Sequence, residues 1–207
     1  MIQLTQRQKA IVDFMPRCNC VADVGCDHGK VSEYVASNNL AKTVLACDVS
    51  EKCLQKAKDR LARFDNVEYH VTDGLKGVQQ VDIAVICGMG AGTIISILSA
   101  LSYKPYLILG AQKNVDTLRI WLSNNGYCFD KDFVVEEDGI FYDVICAKEG
   151  ESELDEVAKH EGYFYKQKDG MRKLKFEADI NKYSSLYPSD FNKKMLEIAK
   201  EAYKWQN

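Results

Sequence analysis

Short apolar runs alternate with segments of helical periodicity through the first two thirds of this chain, and that alternation leaves few folds open to it. Runs at 21–24, 43–48, 67–71, 81–87 and 106–110 read as strands, and segments near 30–38, 51–63, 91–101 and 115–124 read as helices. Strands joined by crossover helices lie parallel and are covered on both faces, so the pattern specifies an α/β fold. A further helix precedes them. Thr5 and Gln8 have capping-box spacing, Leu4, Ile11, Val12 and Met15 form its apolar stripe, and Pro16 ends it.

The pattern changes after residue 124. Asn125-Gly126 is a turn, 127–135 a strand, Glu137-Asp138-Gly139 a second turn and 141–148 another strand, which together make an antiparallel hairpin. A dinucleotide-binding fold would continue with another βα unit instead. The expected sheet is therefore seven-stranded and mostly parallel, with an antiparallel last strand, as in the Rossmann-like class I methyltransferase sheet that this ending resembles. From about residue 151 the chain reads as helical. Phe176, Ile180, Tyr183 and Tyr187 form one seam, Phe191, Met195, Ile198, Ala202 and Trp205 another, and Pro188-Ser189-Asp190 separates them. Two such seams predict a coiled-coil-like helical hairpin, either docked on the core or extended as an arm. The expected division is a domain over 1–150 and a helical extension over 151–207.

Charge qualifies the choice of partner. The net charge is −3, which disfavours a uniformly basic nucleic-acid binder, but residues 159–207 hold 11 Lys/Arg against 7 Asp/Glu. A phosphate backbone would be held there, if anywhere. No basic-then-apolar leader and no membrane-length apolar run occur, so a soluble, intracellular, cytoplasmic protein is expected. The eight cysteines lack paired CxxC spacing, so neither a metal site nor disulfides are expected, and most thiols should behave as small buried hydrophobes.

The chemistry concentrates at the strand ends. Asp23-Val24-Gly25-Cys26-Asp27-His28-Gly29 follows the first strand and opens a helix. The glycines allow a sharp turn and close approach to a ligand, but Asp27 stands where the dinucleotide fingerprint has its middle glycine. A carboxylate there repels a pyrophosphate and suits a cation. Asp48 ends the second strand, 19 residues beyond Gly29, where it can accept from both ribose hydroxyls of a nucleoside, with Val49 beside it. Asp73-Gly74 follows the third strand, where a carboxylate can take adenine amino hydrogens. Acids closing three successive strands at one edge point to S-adenosylmethionine, a cationic sulfonium nucleoside without phosphate, as the cofactor. Cys87-Gly88-Met89-Gly90 ends the fourth strand without the Asn/Asp-Pro-Pro-aromatic loop that holds an exocyclic amine, so another nucleophile is expected.

With these residues in view, the chain resembles the bacterial tRNA (adenine-N1)-methyltransferases that modify position 22. The resemblance runs through residues 4–15, Ala22 to His28, Asp73-Gly74-Leu75, Gly88-Met89-Gly90, Gln112-Lys113-Asn114-Val115, Leu118 to Leu122, Asn125-Gly126-Tyr127, Val135 to Tyr142 and the two-helix tail. The chain departs from the family pattern at Cys26 (commonly Ser), Asp48 (Glu), Ala91-Gly92 (Gly-Thr) and Lys113 (Pro). The resemblance implies methylation of adenine N1 in tRNA. It assigns Asp27 and His28 to catalysis and Asp23, Gly25, Cys26, Gly29, Asp48, Val49, Asp73, Gly74, Gly88 and Met89 to the cofactor. Gly90, Gln112, Asn114, Lys166, Arg172 and Lys173 fall to the substrate, with Lys168 and Lys175 as further basic groups. tRNA is the expected partner, with no membrane or protein partner. A small-molecule methyltransferase and a non-catalytic module binding S-adenosylmethionine and RNA are the competing readings, and a nicotinamide oxidoreductase a weaker third.

Overall fold

The computed structural model describes residues 3–207. α1 (Gln6–Asp13) begins at the expected capping box: Gln8 N donates to Thr5 Oγ1 and Thr5 N to Gln8 Oε1. There follow β1 (Cys18–Val24), α2 (Lys30–Ser37), β2 (Ala41–Asp48), α3 (Glu51–Leu61), β3 (Val67–Val71), β4 (Ile83–Met89), α4 (Ala91–Ser99), β5 (Tyr106–Ala111), α5 (Val115–Asn124), β6 (Tyr127–Glu137) and β7 (Ile140–Glu149). The strands form one sheet in the order β3-β2-β1-β4-β5-β7-β6. β1 to β5 are parallel, and β7 inserts antiparallel between β5 and β6.

Two apolar layers cover the sheet. One joins Ile94, Leu98, Leu118 and Leu122 of α4 and α5 to Ala22, Ala84, Ile86 and Leu107. The other joins Ile11, Val12, Val35, Leu54 and Leu61 of α1, α2 and α3 to Val21, Val44, Val85 and Ile108. β4 starts two residues later than its apolar run because Asp82 is a bracket: its Oδ2 accepts from the amides of Asn19 and Cys20 at 2.8 and 2.9 Å. A bulge between Phe129 and Lys131 shifts the register of β6 against β7. It turns Phe129 into the α4–α5 layer and Phe133 into the α1 layer, which strict alternation would forbid.

The tail has three helices where two were expected: α6 (Glu156–Glu161), α7 (Gly170–Ser185) and α8 (Asp190–Lys204). Asp155, Asp169 and Ser189 cap them through their side chains. The heptad seams are used only in part. Phe176, Met195, Ile198 and Ala202 are buried, whereas Tyr187 (83% exposed), Phe191 (64%) and Trp205 (46%) lie at the surface. α7 and α8 still pack on each other as the expected hairpin, with Phe176 and Ala202 in one cluster, and the extension is also tied to the sheet. Arg119 of α5, fully buried, holds Asp132 of β6 at 2.8 and 2.9 Å, Asp143 of β7 at 2.7 Å and the carbonyls of Lys159 and His160 at 3.3 Å. Tyr163 N donates to Asp132 Oδ2 (2.8 Å), and Arg172 Nη2 donates to the Asp132 carbonyl, so the extension occupies the free side of edge strand β6. Among the described residues no helix is long and apolar enough to cross a membrane.

Candidate active site at the carboxyl edge of the sheet

The turn after β1 is built on β2. Gly25 N and Cys26 N both donate to the Cys47 carbonyl, at 2.8 and 3.0 Å. Asp48 extends the bracket: Oδ2 accepts from Asp27 N (3.1 Å) and Oδ1 from Ser50 N (2.8 Å). That hydrogen bond holds Asp27 at a φ of 48°, a left-handed conformation that asparagine and aspartate tolerate best. Asp48 therefore shapes the loop that carries Asp27.

A solvent-open cleft of about 790 Å³ follows from this turn, with Asp23, Gly25, Cys26, Asp27, His28, Cys87 and Gly88 in its wall. Asp23 is 7% exposed, and its Oδ2 accepts from Ser32 N (3.1 Å) and Ser32 Oγ (2.6 Å). Burial pushes its carboxyl up to about 6, against those two hydrogen bonds. Burial likewise pushes the Cys87 thiol up to about 12, which leaves it a poor nucleophile. Glycines floor part of the cleft: Gly25 and Gly88 both line it, and nothing lies within 4 Å of where a Cβ on Gly88 would stand. Such a cradle, with one buried and one exposed carboxylate, fits an amino acid bearing a sulfonium.

His28 has two polar neighbours. Lys56 Nζ lies 3.0 Å from His28 Nε2. Asp27 Oδ1 approaches the same nitrogen at 3.5 Å. The Asp27 side chain is 68% exposed and open to a ligand.

Other expected residues separate from this cleft. Asp73 ion-pairs with Lys76 and borders a recess of about 300 Å³ with Ser96 and Ile97. Gly29 and Gly74 are buried packing glycines, because a Cβ would meet Leu61 and Ala57 in the first case and Ile97 in the second. Val49 is 69% exposed beside Asp48. Gly90, Gln112 and Asn114 lie on two loops tied together, with Gln112 N donating to the Met89 carbonyl (2.8 Å) and Ala91 N to that of Lys113 (3.2 Å). Gly88 interrupts the β4–β5 ladder at a bulge, at a φ of 78°.

The basic tail needs correction. Arg172, expected on a phosphate-facing surface, is 4% exposed in the network around Asp132. Lys175 is held by Glu161 at 2.6 Å and Asp179 at 3.0 Å. Lys166 and Lys173 remain near the surface, over the rings of Trp205 and Tyr203. Of the cysteines, Cys26, Cys47 and Cys146 are buried and the other five half-buried, fewer than expected in the core. Sequence reasoning missed Arg7, Gln8 and Ile11 of α1, which line the cleft opposite Asp23. Nothing in the local pattern of α1 marks them; only the docking of α1 on the sheet does.

Comparison with known proteins agrees with this geometry. A tRNA (adenine(22)-N(1))-methyltransferase of Bacillus subtilis is 28% identical over 160 residues, covering 72% of this chain and 67% of that protein. Two mycoplasma relatives match over 60% of their own lengths. Among solved structures, the B. subtilis M1A22 tRNA methyltransferase superposes with a TM-score of 0.78 at 22% identity, over 100% of this chain and 98% of that one. A Streptococcus pneumoniae protein assigned as a tRNA (m1A22) methyltransferase, in complex with S-adenosyl-L-methionine, gives 0.89 at 23%, over 97% and 100%. The methyltransferase domain profile matches residues 4–145, a span that holds the whole sheet edge from Arg7 to Asn114, and by that match the chain belongs to the methyltransferase domain family.

Proposed function

We propose that this chain transfers a methyl group from S-adenosylmethionine to N1 of an unpaired adenine in tRNA, at position 22, in the cytoplasm. The observation that carries the reading is the juxtaposition of buried Asp23 and exposed Asp27 in one glycine-floored cleft with no phosphate-binding fingerprint. The relatives named for tRNA (adenine(22)-N(1)) methylation support the substrate.

In this reading Asp23, the Gly25–Cys26 turn and Gly88 hold the amino-acid end of the cofactor, and Asp48 with Val49 meets its nucleoside. When bound, S-adenosylmethionine supplies an electrophilic methyl on a sulfonium. Adenine N1 has an in-plane lone pair, so the chain needs no base to deprotonate it. Its task is alignment, which contributes up to about 7–11 kcal/mol in well-oriented reactions. Asp27 lies where it can offset the positive charge that develops on the adenine. Gly90, Gln112 and Asn114, on two loops tied together, are the residues proposed to meet the substrate. Because N1 lies on the pairing edge, the base must leave its stack, at a cost of a few kcal/mol that backbone contacts offset. Residues 1–150 form the catalytic unit, and the helical extension, with Lys166 and Lys173 near its surface, takes part in holding RNA.

Incubation with labelled S-adenosylmethionine and unmodified tRNA, followed by nucleoside analysis, tests this. The expected product is 1-methyladenosine. Label on small molecules only, or none on any acceptor with cofactor bound, overturns it.

A further inference from the structure

A second cleft, of about 630 Å³, opens where edge strand β6 meets the end of α1 and the start of α7. Phe14, Lys131, Phe133, Phe164, Lys168 and Arg172 line it. Arg172 is 4% exposed, and its Nε and Nη1 are buried without an acceptor. A guanidinium with idle donors in the wall of a cleft invites an anion.

Three carboxylates also border the cleft, but each is already committed. Asp132 is held by Arg119 at 2.8 and 2.9 Å, Asp130 by Lys148 (3.0 Å) and Tyr106 Oη (2.9 Å), and Asp169 Oδ1 accepts from Arg172 N (2.8 Å). Lys168 Nζ donates to the backbone oxygen of Asn207 at 2.7 Å, so the wholly free donors here are those of Lys131 and of Arg172 Nε and Nη1. The apolar wall is aromatic: Phe14, 39% exposed, packs on Phe133 at 4.5 Å between centroids, and Lys131 Nζ lies 5.0 Å over the Phe14 ring. The β6 bulge beside Lys131 places this lysine and Phe133 on the α1 side while Asp132 stays with Arg119.

An aromatic platform beside a cluster of cations is the chemistry that takes an unstacked base together with its phosphate. α1 links this cleft to the active one: Arg7, Gln8 and Ile11 line the first, and Phe14, the α1 C-cap, the second. The two sites are thus on the order of 10 Å apart along the helix, close enough for one RNA to reach both. We propose that the β6 cleft is a second RNA site, which seats one unpaired nucleotide of the tRNA with its base against Phe14 and its phosphate at Lys131, Lys168 and Arg172. The proposal rests on the tRNA reading above.

Binding of unmodified tRNA is measured by filter retention at several salt concentrations for wild type, Lys131→Ala/Lys168→Ala and Phe14→Ala, with calorimetric S-adenosylmethionine affinity as the control on folding. The lysine variant is expected to bind more weakly, with the slope of log affinity against log salt reduced by about 1 per lysine. Phe14→Ala is expected to lose roughly 5- to 100-fold in affinity, the worth of one stacked base. Wild-type affinity and slope in both variants, with wild-type protein still binding and methylating tRNA, overturns the second site alone. Failure of wild-type protein to bind tRNA at all overturns the functional reading and this site with it.

Discussion

Arg119 and Asp132 meet through a two-pronged pair, Nε to Oδ2 at 2.8 Å and Nη2 to Oδ1 at 2.9 Å, with both side chains 1% exposed or less. Burial opposes the charge on Arg119, yet Asp132 and Asp143 hold it more firmly protonated than usual. The same guanidinium reaches the α6 carbonyls, so one side chain joins α5, both hairpin strands and the extension. Replacing Arg119 by Ala leaves two carboxylates buried and uncompensated. We expect a loss of about 3–5 kcal/mol in chemical denaturation, and a stability within about 1 kcal/mol of wild type would contradict it.

The cofactor-binding role proposed for Asp23 predicts a pH-dependent affinity. With its carboxyl near 6, its ionised fraction falls steeply below neutrality. The sign for folding is the reverse of the usual carboxylate case: the contribution is full below the unfolded value and is lost as pH rises through about 6. For a cationic ligand the effect runs the other way. S-adenosylmethionine affinity is expected to weaken by up to about tenfold from pH 7 to pH 5, and Asp23→Asn should flatten that profile. Removing the Ser32 hydroxyl, whose 2.6 Å hydrogen bond favours the charged form, should move the midpoint upward in Ser32→Ala. Calorimetry across pH reads all three.

The Asp27 side chain is 68% exposed, so its loss should cost the fold little beyond the strain of an alanine at a φ of 48°. Asp27→Ala is expected to retain S-adenosylmethionine binding while methyl transfer in single turnover falls roughly 100-fold. Equal rates in variant and wild type would remove Asp27 from the chemistry.

Gly29 combines a φ of +68° with a Cβ site 3.0 Å from Leu61 Cδ1 and 3.1 Å from Ala57 Cβ. Gly29→Ala should therefore cost about 1–3 kcal/mol through backbone strain and crowding between α2 and α3. A shift in thermal midpoint measures it, and an unchanged midpoint would refute the packing role.

The sheet was legible in the sequence because its signals are local. Apolar runs, turns such as Asn125-Gly126 and the Thr5 cap each act within a few residues. The first acidic turn was legible for the same reason, since Asp23 to His28 are contiguous and follow a strand. What escaped depended on distant partners. Arg7 reaches the cleft only because α1 docks beside β6, and Arg172 looks like a surface cation until Asp132, forty residues earlier, claims it. Periodicity misplaced Phe191 and Trp205 as well. It reports which face of a helix is apolar, not how far the neighbouring helix extends to cover it.

The way α6 and α7 close over β6 bears on how the chain tolerates being cut. Without residues 151–207, the Asp132 carbonyl would lose its donor Arg172 and Phe129 N its acceptor Ser152 Oγ, which opens two β6 backbone groups to pairing with another chain. Such a fragment is expected to self-associate before its activity can be judged. The extension thus acts as a guard against strand recruitment whatever it does with RNA, and point substitutions rather than truncations are the means to separate those two duties.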